Sequence, residues 1–481
     1  MMGEMMPDTH PTADYSKKWY VLSAVGMGVF LATIDGSIVN ISLPTLVSSF
    51  QTDFALVQWV VLAYLLTVTT LMLGIGRLAD IYGKKSIYTT GFIVFTVGSV
   101  LCGLSPTIYT LIGFRVAQAV GAAMIMALGM AITTEAFPPS ERGRALGITG
   151  TIVSVGIAVG PTLGGLIVKN LSWHWIFFVN LPVGIIGTFM VVRYVPAFRP
   201  PGGQRFDYWG ALTLCISLLS LLVALTLGQR VGFGDTTVLL LIGSFVVFLA
   251  VFISLELRIE QPMIDLRLFR NSLFSVSLAT GFIIFICLSG TLILMPFYIQ
   301  NVLGYDPQQT GLLMATVPVA LGIIAPISGN LSDRFGSRPI TVAGLAVLTI
   351  GFLAVSSLDA ETTTLGYVLR FLPVGLGVGI FQSPNNSAIM GAAPRDRLGI
   401  ASGMLAVTRT LGQTTGIAML GALWAGQVFK YVGSVLPGGA TAAPVAAQVF
   451  GLRATFVIVS VLIFFALLLS IWGLREERKS K

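Results

Sequence analysis

A carboxylate inside an apolar run is the first place to look for chemistry. Asp35 sits in the stretch Phe30–Pro44, FLATIDGSIVNISLP. Arg115, in LIGFRVAQAVGAAM, is a basic residue in an equally apolar setting. Two such groups can exchange a proton, pair with each other or hold a charged solute. The usual apparatus of enzymes is missing. The two histidines, His10 and His174, stand apart from Cys102, Cys215 and Cys287, which are scattered through apolar runs. Thiols in such runs behave as small hydrophobes. No metal site, disulfide, cofactor or nucleophile–base pair is expected, and the chain does not read as an enzyme.

Composition dictates the elements that carry these charges. Of 481 residues, 55% are hydrophobic and 10% charged, against roughly 25% charged in soluble domains. Mean hydropathy is +0.89. Apolar runs of about twenty residues match the helix length needed to cross a ~30 Å hydrocarbon core, and 54 glycines suit close helix packing there. Spans are expected near 19–43, 57–75, 87–105, 108–134, 145–168, 175–194, 208–228 and 237–256. The others fall near 273–298, 310–327, 340–357, 366–390, 400–425 and 452–474. The fold class is therefore an all-α polytopic membrane protein of fourteen helices, with both termini on one side.

The basic residues choose that side. Lys169, Arg230, Lys430 and Arg453 are the ones in the opposite loops, and Arg115, Arg370 and Arg409 lie within spans; the rest flank the terminal side. The positive-inside rule puts both termini in the cytoplasm and the chain in the cell (inner or plasma) membrane. The net charge of +8 then reflects topology, not nucleic-acid binding. Residues 1–18 read as a disordered cytoplasmic start and 475–481 as a cytoplasmic tail. The first apolar run is too long for a signal peptide. Trp173 and Trp175 read as interfacial belt residues.

A repeat organises the interior. GRLADIYGKK (Gly76 to Lys85) and GNLSDRFGSR (Gly329 to Arg338) share glycine, leucine, aspartate, aromatic, glycine and basic positions at an offset of 253. The same offset carries Arg144 onto Arg397 and brings Arg115 within two residues of Arg370. The reading is two parallel six-helix bundles, 19–195 and 273–474, with two extra helices in a linker at 196–272. Such halves form transporters with the substrate site between them near mid-membrane. Asp35 has no image: its offset falls on Leu288, and span 9 holds no acid.

Each motif has a functional and a plain reading. Gly76, Asp80, Gly83 and Lys84, with Asp333, Arg334 and Arg338 in the second copy, form a cytoplasmic latch or gate, or else solvated tight turns. Gly156, Gly160, Gly164 and Gly165 make a bare stripe, and Pro161 removes a backbone donor and should bend the helix. That segment reads as a seal or pivot, or as ordinary small-residue packing. Glu135 is expected in an interfacial ion pair with Arg142 or Arg144. Arg370 and Arg409 could attract an anionic group or bond helix carbonyls. Tyr64, Gln118, Asn180, Tyr298, Gln382, Asn385 and Asn386 could line the cavity or join helices. The segment 431–449 is either a flexible outer loop or a small gate.

These segments resemble the major facilitator superfamily, and in particular its fourteen-span drug:proton antiporters (EmrB/QacA-like), over nearly all of residues 17–475. GRLADIYGKK resembles the loop 2–3 signature, LIGFRVAQAVGAAM the fourth-span signature and GIAVGPTLGG the fifth-span antiporter signature. IDGSIVNISLP resembles the first-span signature, with Asp35 at the acidic position. Ala119 departs from the fourth-span pattern, where glycine is usual. The resemblance implies a proton-coupled exporter of lipophilic, cationic or neutral compounds, driven by the proton gradient and working as a monomer. Its alternative is an exporter or flippase of a lipid, siderophore or other metabolite.

Depth supports a working Asp35–Arg115 pair. At 1.5 Å per residue Asp35 lies about 24 Å from the cytoplasmic end and Arg115 about 10 Å from the outer one, so the two can be level. A lone charge there costs at least ~2.5–3.5 kcal/mol and calls for a partner or a cavity. Apolar surroundings favour the neutral acid and a guanidinium the ionised one, which suits Asp35 to proton coupling with Arg115 as modulator.

Overall fold

The computed structural model describes residues 15–138, 141–197, 207–259, 269, 271–392, 398–436 and 438–480, apart from some helical side chains. The first bundle is built from α1 (Lys18–Ser49), α2 (Trp59–Tyr82), α3 (Lys84–Gly103), α4 (Ile108–Ala136), α5 (Arg142–Asn170) and α6 (Asn180–Tyr194). Then come α7 (Tyr208–Val231) and α8 (Thr236–Glu256). The second bundle holds α9 (Ser272–Phe297), α10 (Thr316–Phe335), α11 (Ser337–Val355), α12 (Thr364–Ala392), α13 (Leu398–Val432) and α14 (Val445–Ser480). Among the described residues thirteen helical stretches are long and apolar enough to cross a membrane. The further one, α13, is 35 residues long but carries Arg409, Gln413 and several threonines. The disorder expected for residues 1–18 falls mostly outside the described residues; Tyr15–Lys17 forms a 3-10 turn and α1 starts at Lys18.

Equivalent helices pair alike in the two bundles. α1 packs on α5 and α6 as α9 packs on α13 and α14; α4 packs on α2 and α3 as α12 packs on α10 and α11. Between bundles, α13 meets α2, while α5 meets α10 and its preceding helix Pro307–Met314. These two seams are images of each other. α7 and α8 break that symmetry: they pair together, and α7 lies against α2 and α13. Trp59 Nε1 donates to Thr226 Oγ1 at 3.3 Å across this contact.

The repeated charged motif is not a loop. α2 stays helical to Tyr82 and α3 begins at Lys84, leaving Gly83 alone as the turn. Gly83 has φ 87° and its image Gly336 φ 86°. A Cβ is strained in that conformation, so the second glycine of each copy is a backbone requirement. Polar side chains past the membrane edge can continue a helix, which is why the stretch misleads as a loop.

We call the end where α1 begins proximal and the other end distal. The two bundles meet distally. Lys169 Nζ pairs with Asp306 Oδ2 at 2.9 Å, and Gln300 Nε2 donates to Ile41 O at 3.2 Å. Phe54 packs edge-on against Phe297 and Trp424, with ring centroids 5.0 and 5.1 Å apart. The segment 431–449 takes part: Ala440–Ala442 forms a 3-10 turn, and a methyl on Gly439 would come within 3.0 Å of Asp53 Cβ. It is packed onto the first bundle. Trp173 is buried against Phe50, correcting the belt reading, whereas Trp175 is exposed.

Candidate functional site

α1 is one unbroken helix through Gly36 and Ser37, so Asp35 does not serve a helix break. Its rotation is set by α5. A methyl at Gly156 would collide with Thr33, one at Gly160 with Ser37 and one at Gly164 with Ile38. Ser37 Oγ donates to Gly156 O at 3.2 Å. Thr33 and Ser37 lie two residues either side of Asp35, about 200° around the helix. Pressing that face onto α5 turns the carboxylate toward α3, α4 and α6. The stripe therefore aims the acid.

There Asp35 enters a buried knot. Arg115 Nη1 donates to Asp35 Oδ2 at 2.6 Å, with side-chain exposures of 1% and 0%. Gln118 Nε2 and Asn180 Nδ2 donate to Oδ1 at 2.9 and 3.0 Å. Arg115 also holds Gln118 Oε1 at 2.6 Å and Val60 O at 3.0 Å. Its guanidinium lies 4.1 Å from the centroid of the Tyr64 ring. Ser99 Oγ ties the amides together, accepting from Gln118 at 2.7 Å and Asn180 at 3.3 Å.

A buried ion pair is neutral as a unit, and removing one partner typically costs roughly 3–5 kcal/mol. Here the loss is moderated, because Arg115 keeps Val60 O, Gln118 and Tyr64 if Asp35 becomes neutral. In this conformation the acid is sealed from solvent.

The remaining candidates are spread out. Tyr298 Oη donates to Asp359 O at 2.6 Å near the distal end. Asn385 Nδ2 donates to Ser277 O at 3.1 Å, joining α12 to α9. Gln382 and Asn386 are half-buried on α12. Arg370 donates to Ser357 Oγ at 2.9 Å and to Gly366 O at 3.0 Å, the plain alternative. Arg409 faces Phe285, 5.7 Å from its ring centroid.

At the proximal end Lys84 pairs with Glu135, joining α3 to α4, and Lys18 Nζ pairs with Glu141 at 2.8 Å. Glu135 thus meets Lys84; the side chains of Arg142 and Arg144, its expected partners, lie outside the described residues, as do those of Gly76, Asp80 and Asp333. The Lys84 pair closes within one bundle and does not bridge the two. Arg334 is exposed, while Arg338 is buried beside Gly473 of α14. α5 runs helical through Pro161, and Pro161 abuts Gly311 while Gly165 abuts Pro307. The glycine–proline segment therefore belongs to the distal contact between bundles.

The Major Facilitator Superfamily matches residues 25–417. The riboflavin transporter RibZ of Clostridioides difficile is 34% identical over 96% of this chain and 99% of its own length. The multidrug resistance protein Stp of Mycobacterium tuberculosis is 36% identical over 84% and 75%. The multidrug transporter protein MdtP of Bacillus subtilis is 30% identical over 85% and 75%. Among solved structures, a bacterial homologue of the human lysosomal transporter Spinster, inward-facing and unoccupied, superposes with TM-score 0.68 at 18% identity, covering 96% of this chain and 97% of that one.

Proposed function

The chain belongs to the major facilitator superfamily of transporters, and from that premise we propose that it is a proton-coupled antiporter exporting lipophilic compounds by alternating access. The observation that carries this reading is the Asp35–Arg115 knot, an ionisable pair buried in one bundle, with no acid at the equivalent place in the other. Relatives named as multidrug proteins support the substrate class.

In the proposed cycle, the proximal face is cytoplasmic, on the charge asymmetry of the loops. The distal contacts between bundles correspond to a conformation closed to the outside. Proton uptake from outside neutralises Asp35, Arg115 shifts its weight onto Gln118 and Val60 O, and the bundles rock. Release of the proton inward resets the pair. The Gly156–Gly165 segment serves twice, orienting α1 and sealing the outer face against leak. The proton gradient is the driving force and no cofactor is needed. The working unit is a monomer in the cell membrane, of the fourteen-span drug:proton antiporter type.

RibZ supports a second reading, export or movement of an endogenous metabolite or lipid, because its match runs nearly end to end. Proteoliposomes distinguish the readings and test the first. A pH gradient should drive efflux of a lipophilic dye by the unaltered protein, and Asp35→Asn should abolish it while the protein remains monodisperse. Undiminished gradient-driven efflux from Asp35→Asn vesicles would sink proton coupling at this residue.

A further inference from the structure

From the environment of Arg409 we infer that the second bundle carries an anion-recognition site, so that the transported compounds include amphiphiles with an apolar body and a carboxylate, sulfonate or phosphate. The inference deepens the transport reading and rests on it.

Arg409 lies on the face of α13 that packs on α9. Gly412 and Gly416, three and seven residues further along, would collide with Phe282, Phe285 and Ile286 of α9 if they carried a methyl. No residue of α13 from Met404 to Ala425 is exposed, and none of α9 from Leu273 to Phe297. Over these stretches both helices are largely covered by protein, in contrast to α8, where most residues are exposed. Yet Arg409 is half-buried, not enclosed. It stays partly accessible on a stretch where both helices are otherwise largely covered.

The guanidinium is unmatched there. Arg115 has a carboxylate, two side-chain amides in its network and a backbone carbonyl; Arg370 bonds a hydroxyl and a carbonyl of its own helix. Arg409 makes no hydrogen bond or ion pair with any described residue. Its contact is the Phe285 ring, which leaves the donors of its planar fork free. Carbonyl bonding, the plain alternative for this residue, is not made to any described residue. Ionisable groups within membrane spans are rare and costly, and one unpaired among the described residues calls for a ligand or water as its partner.

Its position along α13 suits a ligand. At the distal contact Gly421 seats on Gln58 and Phe54 of the first bundle. Arg409 is twelve residues nearer the proximal end, about 18 Å at 1.5 Å per residue. It therefore lies on the proximal side of the distal seal. Phe285 supplies an apolar shelf beside the charge, and a guanidinium binds carboxylate, sulfonate or phosphate through paired donors. One ligand spanning both needs an aromatic or lipophilic body next to its anionic group.

The test uses the full-length protein in detergent and two dyes that share a xanthene body, anionic fluorescein and cationic rhodamine 123, with binding read by fluorescence anisotropy at pH 7.5. Fluorescein should bind more tightly than rhodamine 123. Arg409→Gln should weaken fluorescein by about tenfold or more, the loss expected for a charge-assisted bond, while changing rhodamine 123 by less than about threefold. Arg409→Lys should retain part of the fluorescein affinity. Competition on the unaltered protein is independent of any variant's folding: naphthalene-2-sulfonate should displace fluorescein and neutral 2-naphthol should not. Equal weakening of both dyes, no weakening of either, or equal competition by the two naphthalenes would overturn the assignment. Binding at equilibrium needs no proton gradient, so loss of proton coupling alone would leave these outcomes intact.

Discussion

If the glycine stripe of α5 aims Asp35, adding one methyl to it should be costly for a nameable reason. A Cβ at position 160 would overlap Ser37 Oγ and come within 2.8 Å of Ser37 Cβ and 3.2 Å of Ile38 N. Ser37 cannot swing away freely, because its one hydroxyl proton is shared among Thr33 O and Ile34 O at 3.1 Å and Gly156 O at 3.2 Å, all within reach of Oγ in this position. Overpacking of this kind costs roughly 1–3 kcal/mol. Gly160→Ala should therefore lower stability by that amount, read by SDS titration in mixed micelles with tryptophan fluorescence. Removing the obstacle should restore most of it. In Gly160→Ala/Ser37→Gly the backbone nitrogen of Ile38 is the remaining close contact, and the coupling between the two changes should be at least ~1 kcal/mol. Ser37→Gly alone should cost about 0.5–1 kcal/mol as a glycine inside a helix. Gly160→Ala with unchanged stability, or a double variant whose loss is the sum of the singles, would refute the packing argument.

Gly83→Ala and Gly336→Ala should each destabilise by ~1–3 kcal/mol, since both glycines hold a positive φ that alanine resists; thermal unfolding followed by size-exclusion fluorescence reads the loss. Asp306 is held below the ordinary carboxylate range, first by the Gln309 backbone N–H and then by Lys169. A lowered folded-state value means its stabilisation is present above that range and lost as pH falls through the lowered value. The Lys169–Asp306 contact should then persist from pH 8 to 5, and spin-label distances across the distal end should stay constant over that interval; opening near pH 6 would contradict it.

Much of the frame was legible because membranes restrict the vocabulary. Runs of apolar residues had to be helices, and an offset of 253 had to relate equivalent backbones. Gly83 and Gly336, sharing one unusual φ, show the repeat down to a single residue. The level estimate for Asp35 and Arg115 rested on rise per residue and led to a direct contact. What stayed hidden depended on helix rotation. Ser99 gave no signal, since one hydroxyl in an apolar span does not reveal which face it presents. Asn180 was visible as polar but not as a donor to Asp35. Arg370 sits near the image of Arg115, yet without an acid on the facing helices it turned to Ser357. Charge runs suggested a loop at 76–85, where the helices abut around one glycine.

The α7–α8 hairpin has a mechanical consequence. Two bundles related by a pseudo-two-fold axis would rock with both seams sliding alike. Here the seam between α2 and α13 is braced by α7, while Val155 and Val159 of α5 and Val319 and Ile323 of α10 remain exposed. One flank is backed by a protein strut and the other is bare. In the rocking cycle proposed above, the hinge line would be displaced toward the braced flank and the widest excursion would fall on the opposite side.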